Sequence, residues 1–126
     1  MYRINLDVIN KIICIEVSGS MTLDEIHSLI NDFSDLVSKF QQRQYSMLIL
    51  AQRLDPISQD NLPVFQCLIE LALTWAERIA VVNGNRTITK MQLKRIESDI
   101  RNKLKSDTPL KRFHIIAEAM NYLDRV

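Results

Sequence analysis

Hydrophobic and polar positions change period several times along the chain, and each period points to an element. Between Tyr2 and Ile9, the apolar Ile4, Leu6 and Val8 alternate with Arg3, Asn5 and Asp7, the two-residue repeat of a strand with one face buried. Asn10-Lys11 then offers a tight turn, because Asn tolerates the positive φ that two-residue hairpin turns demand. The β-branched run Ile12–Val17 supplies the second strand of a hairpin, closed by Ser18-Gly19-Ser20. Met21-Thr22-Leu23-Asp24-Glu25-Ile26 is a complete helix start. Thr22 can cap, Glu25 can reach back to the Thr22 amide, and Met21 can staple onto Ile26. Ile26, Leu29, Ile30, Phe33, Leu36, Val37 and Phe40 follow at helical spacing, with Asp24, Asp32, Asp35 and Lys39 elsewhere on the wheel.

Met47–Ala51 is a continuous apolar run, as expected of a central strand covered on both faces. A polar loop containing Pro56 leads to a second helix from Leu62 to about Ala76, with Pro63 in its first turn. Only Gln66, Glu70 and Thr74 interrupt its apolar surface. Arg78–Val82 reads as a buried strand ending in Asn83-Gly84-Asn85. A third helix spans about Ile88 to Leu104, with Leu93, Ile96, Ile100 and Leu104 inward and Lys90, Lys94, Arg101 and Lys105 outward. Thr108-Pro109 ends it, Lys111–Ile116 gives a short strand, and Ala117–Leu123 a last helix. The order ββαβαβαβα predicts one α/β domain over residues 1–126. Its sheet is five-stranded, mixed and mostly parallel, with helices packed on it, and the hairpin supplies the single antiparallel pairing. Sites in such sheets favour the loops at the carboxyl ends of the parallel strands. Here those loops, Gln52–Asn61 and Asn83–Thr87, offer Asp55, Ser58, Asp60, Asn83, Gly84, Asn85 and Arg86 to a partner or ligand.

Composition narrows the function. About a third of the residues are Leu, Ile, Val or Phe, which excludes a disordered chain. Sixteen basic against fifteen acidic residues leave a net charge of +1, so a strongly basic nucleic-acid coat is excluded. No apolar run approaches the roughly 20 residues of a membrane span, and the first ten residues do not form a signal peptide, so a cytoplasmic location is expected. Cys14 and Cys67 lie in apolar runs and read as small buried hydrophobes. With His27 and His114 they make no ligand spacing, so no metal or other cofactor is expected. The strand-end loops bring no His, Cys or Lys beside Ser58 or the two aspartates to activate them, and no catalytic residues or enzyme activity are expected.

The second helix is the most informative element. A helix apolar almost all round is buried, so Val64, Leu68, Leu71 and Trp75 need a cover. Neighbouring helices, a protein interface or self-association, and a small apolar, lipid-like ligand would each supply one. Charge is also uneven: residues 86–112 carry nine basic and three acidic groups, residues 1–77 five and ten. No aromatic side chain interleaves Lys90 to Lys105, so bases find no stacking platform and nucleic acid is not the expected partner.

Two stretches carry a family resemblance. Trp75–Asn85 (WAERIAVVNGN) is similar to a strand ending in a short Gly-containing turn, and Phe113–Leu123 (FHIIAEAMNYL) to a closing strand and helix, in STAS domains of the SpoIIAA-like branch. Met47–Leu54 fits the preceding strand. The family includes the bacterial anti-sigma-factor antagonists, so the resemblance implies a non-enzymatic regulatory module that binds a protein partner. In the antagonists a Ser at the start of the second helix, within an Asp-Ser-Ser-Gly-like motif, is phosphorylated. The matching region is Asp55–Asn61, where Ser58 alone can take that role. The flanking Asp and following Gly are missing, and Asp55 and Asp60 would repel an added phosphate.

Overall fold

The computed structural model describes residues 1–124; Arg125 and Val126, the end of the expected domain, lie outside the described residues. The elements are β1 (Tyr2–Asp7), β2 (Ile12–Gly19), α1 (Leu23–Val37), β3 (Ser46–Leu54), α2 (Leu62–Trp75), β4 (Ile79–Asn83), α3 (Thr87–Leu104), β5 (Leu110–Phe113) and α4 (Ile116–Leu123). Five strands form one sheet in chain order; β1 runs antiparallel to β2 and every other pairing is parallel. The expected α/β class and element order are those observed. No helix among the described residues is long and apolar enough to cross a membrane.

Sequential strand order decides where the helices lie. Each parallel crossover returns to the adjacent strand with the same hand, so α1, α2 and α3 land on one face. Ile26, Leu29 and Phe33 of α1, Phe65 and Leu68 of α2, and Leu93, Ile96 and Ile100 of α3 share one core with Ile13, Ile15, Met47, Ile49 and Ile79. The chain beyond β5 crosses to the other face, where Ala119 and Leu123 of α4 close a smaller core on Ile12, Leu48, Ala80 and Val82. Helix α2 is therefore the middle of a three-helix layer, and its flanks meet α1 and α3. Neighbouring helices cover most of the apolar surface that the sequence left unexplained. Its outward stripe, Pro63, Cys67 and Thr74, is exposed.

Local chemistry sets the boundaries. Thr22 caps α1: its hydroxyl accepts from the Glu25 amide at 3.2 Å while the Glu25 carboxylate accepts from the Thr22 amide. Met21 and Ile26 are both buried beneath it. Helix α1 ends at Val37, so Phe40 lies beyond it, with its ring centroid 4.5 Å from that of Tyr45. The two-residue hairpin turn is corrected to a four-residue loop, 8–11. Asn10 donates through its amide and side chain to the Asp7 carboxylate, and Lys11, not Asn10, takes the positive φ of 56°. Strand β3 continues to Leu54 instead of ending at Ala51, because Gly19 and Leu54 still pair. Strand β5 begins at Leu110 and α4 at Ile116, so His114 and Ile115 connect them.

Candidate functional site

The longer β3 brings the two strand-end loops together. Arg86 pairs with Asp55, whose other carboxylate oxygen accepts from the Ser20 hydroxyl at 3.2 Å. The Ile57 backbone is clamped to α3 at both polar groups: its amide donates to Gln92 Oε1 and its carbonyl accepts from Gln92 Nε2, each at 2.9 Å. Thr89 adds a bond from its hydroxyl to the Leu54 carbonyl at 3.3 Å. Loop 55–60 and the start of α3 thus form one continuous surface with little freedom to part.

The expected loop residues divide within it. Asp55 is half-buried in the ion pair, whereas Ser58, Asp60 and Asn85 are exposed. The Ser58 carbonyl accepts from the Asn61 and Leu62 amides, making the turn into α2. Asn83 is turned inward as the last residue of β4, 5% exposed, with Oδ1 unbonded among the described residues. Gly84 is required by crowding, since a Cβ there would lie 2.2 Å from the Gln52 carbonyl oxygen. Of the interface candidates on α2, Leu68 faces the core and is closed to any partner. Val64, Leu71 and Trp75 are half-buried against their neighbours.

Cys67 is exposed because it falls on the outward stripe of α2, where its thiol donates to the Pro63 carbonyl at 3.6 Å. Cys14 is half-buried, and burial, with Glu16 beside it, pushes its thiol up. Arg101, expected on the outer face of α3, is turned inward. With Arg112 it holds Glu97, at 3.4 and 2.9 Å, and it donates to the Thr108 carbonyl at 2.5 Å.

What remains open on α3 is a mixed apolar and basic face. Ile88 and Met91 are 64% and 66% exposed. Lys94 and Arg95 stand exposed beside them and Lys90 half-buried, none with an ion pair among the described residues. The sequence pattern singles out Lys90 and Lys94 as outward, but Ile88 and Met91 escape it. A signal for them exists: at 100° per residue Met91 lies roughly half a turn from the Leu93–Ile96–Ile100 stripe.

Internal room is small. A cavity of about 30 Å³ lies between the sheet and helices α2 and α3, lined by Ile49, Phe65, Leu68, Ile69 and Leu93 with Glu97 and Arg112 at its edge. It has space for about one water, far short of the several hundred Å³ of ligand pockets.

Comparison with known proteins agrees on the fold. No family model matches the chain and no curated protein matches it. The crystal structure of an uncharacterised protein of the DUF3478 family from Shewanella loihica, described as having a SpoIIAA-like fold, superposes with a TM-score of 0.70 at 14% identity. The match covers 98% of this chain and 92% of that one. The fold is SpoIIAA-like, as the resemblance implied.

Proposed function

We propose that the chain is a non-enzymatic, cytoplasmic interaction module, and that it docks an acidic, amphipathic segment of a partner protein on the outer face of α3 and the adjoining loop 55–60. The observation that carries this reading is the pair Ile88 and Met91, each about two-thirds exposed and bordered by Lys94 and Arg95, which have no ion pair among the described residues. A solvated helix face has no use for two large apolar side chains together, whereas a helix-in-groove or helix-on-helix contact does. The cations select an acidic partner and speed encounter with it. Gln92, Thr89 and the Arg86–Asp55 pair hold the surface in one shape, which lowers the ordering cost of binding. Ser58 is exposed at its rim, where a phosphoryl group would add negative charge and oppose an acidic partner. The lipid-carrier alternative draws no support from a 30 Å³ cavity.

The test is quantitative capture from the host's lysate with three baits: wild type, Ile88→Glu/Met91→Glu and Lys94→Glu/Arg95→Glu. All four positions are surface sites, so circular dichroism of each bait should match wild type. One acidic protein retained by wild type and lost from both variants is the expected result. Equal recovery on all three baits refutes the proposed surface.

A further inference from the structure

The outer edge of β1 is free, and its sequence is complementary to itself. Met1 and Ser18 exchange both backbone bonds at 2.9 Å. In an antiparallel ladder that fixes the alternation: Arg3, Asn5 and Asp7 turn their backbone groups toward β2, while Tyr2, Ile4 and Leu6 turn theirs outward. Nothing among the described residues pairs with those outward groups, because β1 is the first strand of the sheet. Tyr2–Asp7 has neither a Pro nor a bulge to block such pairing, and its two charges, Arg3 and Asp7, are of opposite sign.

We propose that this edge pairs with the β1 edge of a second copy of the chain, antiparallel about a two-fold axis through Asn5, joining the two sheets. That register sets Arg3 of each copy opposite Asp7 of the other, so both charge pairs are attractive. It also sets Ile4 opposite Leu6, and Tyr2 opposite Val8. The apolar pairs lie on the face that carries α1, α2 and α3, where Leu6 and Val8 are 37% and 62% exposed. Beside them an open groove of about 370 Å³ runs between β1 and α1, lined by Tyr2, Ile4, Leu6 and Leu36 with Asp32, which accepts from the Tyr2 hydroxyl at 2.6 Å. The second copy's Leu6 and Val8 would fill part of that groove.

Other registers fail on the same residues. A shift of one sets apolar side chains against polar ones and puts the two helix layers on opposite faces. A shift of two sets Arg3 opposite Asn5 or Ile9, so neither charge pair forms between the copies and Arg3 keeps only Glu16 of its own chain, 3.9 Å away. Only pairing about Asn5 satisfies the charges, the apolar face and the outward backbone groups together, and it closes as a symmetric dimer. This contact is separate from the α3 surface, and neither depends on the other.

Sedimentation equilibrium of the 126-residue chain up to ~1 mM tests it. Wild type should dimerise. Leu6→Lys places a charge on the edge without removing a bond to β2 and should give monomer. Arg3→Asp makes both pairs repulsive and should weaken the dimer about tenfold, and Arg3→Asp/Asp7→Arg should recover most of the loss. A geometric check uses Asn5→Cys in a Cys14→Ser/Cys67→Ser background, because Cys14 pairs with position 5 within one chain. Two copies of position 5 would face each other at a Cα separation of about 4.5 Å, within disulfide reach, so oxidation should give a covalent dimer. A monomeric wild type at the highest concentration overturns the proposal. So does a dimer that Leu6→Lys leaves intact, or the absence of the disulfide.

Discussion

Gly84→Ala isolates a single steric demand at the base of the α3 surface. The added methyl would sit 2.2 Å from the Gln52 carbonyl oxygen and 3.0 Å from its carbonyl carbon. Comfortable contact needs more than about 3.3 Å, so the overlap is roughly 1 Å. Both partners are backbone, so no side chain can swing aside. Relief requires separating the ends of β3 and β4 where Ala51 pairs with Asn83. The expected cost is about 2–3 kcal/mol, the upper part of the overpacking range. Gly19→Ala is the control. Gly19 has φ of 67°, and a methyl group there would meet nothing within 4 Å, so Ala at this position costs only the left-handed backbone, about 1 kcal/mol. Urea unfolding of wild type and both variants measures the two costs directly. If Gly84→Ala unfolds within about 0.5 kcal/mol of wild type, or costs less than Gly19→Ala, the crowding argument is wrong.

Thr22→Ala should lose about 1 kcal/mol of stability by urea unfolding, the usual worth of an N-cap. Acid should erode the same helix end. The amino-terminal ammonium first, and then the Thr22 amide, hold the Glu25 carboxyl below its ordinary range. Glu25 therefore stabilises the fold above the ordinary Glu value of about 4.3, and that contribution is lost as pH falls through the depressed native value. An acid titration of Glu25→Gln should accordingly be flatter than wild type. Glu97→Ala leaves two largely buried guanidiniums, on Arg101 and Arg112, without their carboxylate and should cost about 2 kcal/mol. An aromatic disulfide reagent should modify Cys67 quickly and Cys14 slowly in the folded protein, since only Cys67 is exposed; equal rates would contradict the orientation of α2.

The α/β order was legible because almost every element has its own signal: the alternation of Tyr2–Asp7, the capping box at Thr22 and the unbroken apolar strands. Boundaries were less so. Lys11 in the left-handed region cannot be foreseen from a residue type that rarely adopts it, and β3 runs through the polar Gln52 and Arg53 because Gly19 and Leu54 still pair. The apolar character of α2 is plain in the sequence, but its cause is topological: only the sequential strand order puts α1 and α3 on either side of it. Arg101 looked like one more surface cation. Its inward role depends on Glu97 and Arg112, which are brought together by β5 lying beside β4.

Photo-crosslinking in the host's own cells shows whether α3 and loop 55–60 form the partner surface. A photoreactive phenylalanine replaces Met91, and in separate strains Thr74 on the outward stripe of α2 or Asp35 on α1. One discrete adduct to another protein is expected from position 91, abolished by Lys94→Glu/Arg95→Glu, with none from position 74 and, from position 35, at most a self-adduct at the mass of two chains. A silent position 91, or an adduct to another protein from a control position in equal yield, would contradict it.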